Sequence, residues 1–93
     1  MIRLANLLLL GLLASIQPAQ AAQRTVTLTV NNMYCEACPY MVKKTLESVS
    51  GVAKVTVSFK DRTAMVVFDD AKASVKDLTA ATTKAGFPSE LKS

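Results

Sequence analysis

Two cysteines carry whatever metal or redox chemistry this chain can perform. They stand three apart in Met33-Tyr34-Cys35-Glu36-Ala37-Cys38-Pro39, and they are the only cysteines in 93 residues. The chain contains no histidine, which excludes a Ser-His-Asp or Cys-His catalytic centre, a histidine proton shuttle and any His-ligated metal. Structural zinc prefers four Cys/His donors and iron–sulfur clusters want four thiolates, so each fits only if two chains share one ion. A thiolate pair without histidine suits a soft ion content with two sulfurs in a near-linear arrangement, which describes Hg(II), Cu(I) and Ag(I). Three other readings stand beside this one. A structural disulfide is a weak motive, because closing so small a loop removes little unfolded-state entropy. A thioredoxin-type dithiol shares the spacing, but the chain is short for that fold and its strand order begins differently. A buried, inert pair conflicts with Glu36 and the asparagines Asn31 and Asn32, which place the segment at the surface.

For the two sulfurs to act together, a strand must end and a helix begin around them. Arg24 to Val30 alternates threonine with Val26, Leu28 and Val30, the pattern of a half-buried strand. Asn31 and Asn32 then form a turn, and from Glu36 to Val49 the period becomes helical, with Val42, Thr45, Leu46 and Val49 on one stripe. Pro39 is acceptable only in the first turn, where its missing N–H would be unpaired anyway, and Gly51 is a stop. The first-turn N–H groups stabilise thiolate over thiol, whereas the charge of Glu36 opposes this. Val55, Val57 and Phe59 alternate, then Ala64, Val66 and Phe68; Lys60-Asp61-Arg62 connects the two runs as a hairpin. Ser74 is the expected N-cap of a second helix, with Asp77 three residues on. Val75, Leu78, Ala81, Thr82 and Ala85 form its inner stripe, Gly86 ends it, and Phe87-Pro88 to Leu91 is a short edge strand. Strand, helix, strand, strand, helix, strand is the ferredoxin-like βαββαβ arrangement, an α+β fold whose four-stranded antiparallel sheet carries both helices on one face.

Residues 1–21 stand apart from this pattern. A weakly positive Met1-Ile2-Arg3, a leucine-rich run from Leu4 to Ile16 and small residues in Ala19-Gln20-Ala21 read as a secretory signal cleaved after Ala21. The run is too short to be a membrane anchor, which takes about 20 residues, so no stable membrane insertion is expected after cleavage. The remaining domain, residues 22–93, carries ten basic and seven acidic side chains, too modest an excess to argue for nucleic acid. Outside the cytoplasm thiols tend to pair, so the cysteines either close a disulfide or hold something that competes with oxidation. Among their neighbours, Met33 reads as a core plug under the loop or a thioether ligand. Phe87 reads as a lid near the sulfurs or an ordinary core residue. Lys43, Lys44, Lys76 and Lys84 read as solvated helix faces or as a surface for an acidic partner.

At these residues the chain resembles the heavy-metal-associated domain family, which is marked by a Gly-Met-x-Cys-x-x-Cys loop on a βαββαβ fold. The likeness covers residues 22–93 and extends to the periplasmic mercury-binding members in Ala37-Cys38-Pro39, Phe68-Asp69-Asp70-Ala71-Lys72 and Ala85-Gly86-Phe87-Pro88-Ser89. It implies that Cys35 and Cys38 ligate Hg(II), that Met33 packs beneath the loop and that Phe87 takes the aromatic position near the metal. It further implies a monomeric, non-enzymatic periplasmic scavenger that carries Hg(II) to the cysteines of an inner-membrane mercuric transport protein. The alternatives are a periplasmic Cu(I) or Ag(I) chaperone and, from another class, a thiol–disulfide oxidoreductase. Two positions depart from the family: Asn32 replaces the usual glycine, and Tyr34 replaces a small or polar residue.

Overall fold

Threonine–aliphatic alternation produces the strand that leads into the cysteine loop. In the computed structural model, which describes residues 22–92, β1 (Gln23–Val30) turns Val26, Leu28 and Val30 into the core. The expected leader, residues 1–21, lies outside the described residues. The hairpin of β2 (Val52–Ser58) and β3 (Thr63–Asp69) adds Val55, Ala64, Val66 and Phe68 to the same buried face. Strand order is β2-β3-β1-β4, with β4 formed by Ser89–Leu91, and every pairing is antiparallel. Helices α1 (Cys38–Glu47) and α2 (Val75–Lys84) cover the buried face through Val42, Leu46 and Leu78, each with no exposed surface. This is the ferredoxin-like arrangement expected from the alternating periods.

Gly86 ends α2 as expected, whereas α1 already ends at Glu47 with Ser48 as its C-cap, so Gly51 closes the turn into β2 rather than the helix. Gly51 (φ 93°) and Gly86 (φ 100°) hold the left-handed conformation that glycine adopts without a Cβ penalty. At Gly51 space is also short, since a Cβ there would lie 2.8 Å from Lys72 Cβ.

The structure corrects several boundaries. Helix α1 begins at Cys38 rather than Glu36, because residues 35–37 form a separate turn closed by Cys38 N–H donating to the Cys35 carbonyl at 3.1 Å. It ends at Glu47, and Val49 is half-buried in the turn beyond. Phe59 does not continue the inner face of β2: the hairpin turn starts there, with Arg62 N–H donating to its carbonyl, and its ring is exposed. Ala85 is the exposed C-cap of α2 rather than part of the inner stripe. Phe87 and Pro88 precede β4 instead of joining it. Pro88 has no N–H for the ladder, and its carbonyl accepts from Asn31 N–H at 2.8 Å.

Thr82 is the one buried polar side chain among the described residues. Its hydroxyl is satisfied by the Thr79 carbonyl at 3.1 Å and the Ser89 hydroxyl at 2.6 Å, tying α2 to β4.

Candidate metal centre

The turn between β1 and α1 brings the two cysteines together at the helix N-terminus, with Cα atoms 5.1 Å apart and the sulfurs joined as a disulfide. The oxidised pair is therefore the form seen here. Their environments differ. Cys38, in the first turn of α1, is buried and belongs to the hydrophobic core, whereas Cys35 is exposed. Cys35 N–H points at Cys38 Sγ, 3.3 Å away. Helix α1 has no side-chain cap at Ala37 and carries Pro39 in its first turn. The first N–H of the helix, at Cys38, is met by the Cys35 carbonyl rather than by a capping side chain.

Met33 is fully buried and Phe87 nearly so, and both join Cys38 in one hydrophobic cluster. Phe87 is fixed by its N–H donating to the Thr82 carbonyl at 2.7 Å after α2 ends. Cys38 therefore faces the apolar core, whereas Cys35 and Glu36 are open to solvent. Among the described residues no group of three Cys, Asp or Glu side chains converges to hold an ion. A groove of about 450 Å³ between α1 and β2 starts at Pro39 and Tyr40, beside the cysteines, but no thiol lines it.

The two departures from the family pattern are accommodated by side-chain contacts. Asn32 takes φ 68°, and its Nδ2 donates to the Gly86 carbonyl at 3.2 Å, linking the cysteine loop to the turn that carries Phe87. Tyr34 is 74% exposed, with Arg62 Cζ lying 5.4 Å from its ring centroid. In the sequence Arg62 and Phe59 stand only as parts of a hairpin. The approach of Arg62 to Tyr34 has no periodic signal, because it joins positions far apart in the chain.

The model of the heavy-metal-associated domain matches residues 27–88. A mercuric transport protein periplasmic component of Shigella flexneri is 55% identical over 83 residues, covering 89% of this chain and 91% of that one. Among solved structures, the crystal structure of oxidised MerP from Ralstonia metallidurans CH34 superposes with a TM-score of 0.76 at 56% identity. It is covered in full by 77% of this chain. The mercury-bound form of MerP, described as the periplasmic protein of the bacterial mercury detoxification system, gives a TM-score of 0.69 at 57% identity, again over 77% of this chain and all of that one. A Cys-x-x-Cys turn between the first strand and first helix of a βαββαβ sheet, together with a family match spanning the domain, leads to one conclusion: the chain belongs to the heavy-metal-associated domain family.

Proposed function

We propose that this protein is a periplasmic, non-enzymatic carrier that binds Hg(II) through the reduced thiolates of Cys35 and Cys38. The observation that carries the reading is the paired cysteine turn itself. It offers two sulfurs at one point, one backed by apolar core and one open to solvent, which suits a soft two-coordinate ion. The relatives bearing mercuric names support the choice of Hg(II). They also support a periplasmic setting, with residues 1–21 as the leader that directs the chain there.

Capture requires the reduced pair. A dithiol donates two electrons to the disulfide, and the freed thiolates then bind opposite sides of Hg(II). Met33 and Phe87 support the site from the core side, Met33 beneath the loop and Phe87 as an apolar screen against water.

Release proceeds by exchange. An incoming thiolate of an inner-membrane mercuric transport protein adds to the ion to give a three-sulfur intermediate. The Hg–S bond to Cys35 then breaks, its electron pair stays on the sulfur, and solvent supplies a proton; a second thiolate of the partner displaces Cys38 Sγ in the same way, which leaves the ion on two partner sulfurs. No electron is transferred and the ion is never free. The exposure of Cys35 makes this route open, since an incoming sulfur must reach the ion.

The test is a titration of the reduced protein with Hg(II) and with Cu(I) against a competing small thiol, read by native mass spectrometry. One Hg(II) per chain surviving excess thiol, with Cu(I) lost under the same conditions, is the expected result. Cys35→Ser and Cys38→Ser should each lose this retention and keep the fold. Preferential retention of Cu(I) would move the protein to copper carriage. Catalytic turnover of insulin disulfides without metal retention would make it an oxidoreductase.

A further inference from the structure

The segment leading into Cys35 is weakly held by its own backbone. Among the described residues, no backbone–backbone hydrogen bond involves Asn32, Met33 or Tyr34. Asn32 is tied through its side chain to Gly86, and Met33 through burial. Beyond Met33 the chain emerges into solvent, and Tyr34, the residue before Cys35, has its ring against the guanidinium of Arg62.

Arg62 is itself fixed in place. Its carbonyl accepts from Val30 N–H at 2.8 Å, where β1 enters the loop. Its Nη1 donates to the Phe59 carbonyl at 2.8 Å, and its Cζ lies 4.7 Å from the Phe59 ring centroid. The residue holds φ 57°, a conformation uncommon for any residue with a Cβ and free of penalty for glycine. Closing the hairpin therefore does not call for arginine here. The side chain, planar and able to stack on aromatic faces while hydrogen-bonding at its edge, is what a glycine would lack.

We propose that Arg62 is a positioning residue for the cysteine loop: by stacking on Tyr34 and anchoring to the β2–β3 turn, it orders the Tyr34–Cys35 segment and slows release of Cys35 from the bound ion. The ordering stands on the contacts alone, whereas its consequence for metal release rests on the Hg(II) carrier reading.

Arg62→Gly is the sharpest variant, because it removes the guanidinium and relieves the backbone. In the reduced, metal-free protein, ¹⁵N relaxation should show lower order parameters at the Tyr34 and Cys35 amides in Arg62→Gly and Tyr34→Ala. Tyr34→Phe, which keeps the ring, should stay closer to the parent than Tyr34→Ala. In the Hg(II)-loaded protein both ring- and guanidinium-deleting variants should speed transfer to glutathione about two- to fivefold, the range an exposed cation–π contact supports. The double variant should be no faster than either single one. Unchanged loop order in Arg62→Gly, or fully multiplicative effects in the double variant, would overturn the proposal. If the parent retains no Hg(II), the carrier reading fails, and the metal-free order parameters still decide the role of Arg62.

Discussion

Asn32 performs two tasks that single substitutions can separate. Its backbone takes the left-handed conformation that lets the chain turn from β1 toward the cysteines, and its side chain bonds the Gly86 carbonyl. Asparagine is among the few residues with a Cβ that visit this conformation readily, because its short polar side chain finds local hydrogen bonds. Asn32→Gly should keep the turn and lose the exposed side-chain bond, whose net worth is about 1 kcal/mol. The relief of backbone strain offsets part of that, so the variant should stay within about 1 kcal/mol of the parent. Asn32→Ala loses the bond and keeps a Cβ in the left-handed region, which costs roughly 1–2 kcal/mol more. Urea denaturation of the two variants checks the order, and an alanine variant as stable as the glycine one would show that the positive φ carries no strain.

The two helices begin in opposite ways, and the contrast follows from what each end has to do. Helix α2 opens with a full capping box: Ser74 Oγ accepts from Asp77 N–H at 3.2 Å, and Asp77 Oδ2 accepts from Ser74 N–H at 3.0 Å. This end is structural, and Ser74→Ala should cost about 1 kcal/mol in chemical denaturation. Such a change leaves the cysteine loop intact, so Hg(II) retention should not follow the loss of stability. Helix α1 has no such cap, and Cys38 is its first residue. The α2 cap, the Gly86 stop and the aliphatic alternation of β1 and β3 were all legible in the sequence, because each is a local pattern with a local physical cause. The cysteine pair was legible for the same reason, as spacing at an expected strand–helix junction. The start of α1 was not, since the turn before it is closed by a backbone bond with no side-chain signature. Nor was the contact of Arg62 with Tyr34, which joins two loops through stacking rather than through any periodicity.

Across the whole molecule, three loops meet at one end of the sheet. Val30 N–H donates to the Arg62 carbonyl and Asn31 N–H to the Pro88 carbonyl, so the cysteine loop sits between the hairpin turn and the turn after α2. The rest of the fold rests on a core contributed by all elements except β4, with Leu28, Leu46, Phe68 and Leu78 fully buried. This division predicts how the molecule tolerates reduction. The disulfide joins residues only three apart, and in the chain-entropy picture closing so short a loop stabilises by roughly 2 kcal/mol at most. Removing one buried core side chain, as in Leu46→Ala, costs about 2–5 kcal/mol. Reduction should therefore lower the urea midpoint by less than Leu46→Ala does, with the same denaturant slope, leaving the sheet folded and the thiols available. A reduced protein that unfolds, or loses more stability than the core variant, would make the pair a structural staple. A carrier needs the other outcome, because its two sulfurs must open to take the ion while the scaffold that presents them stays in place.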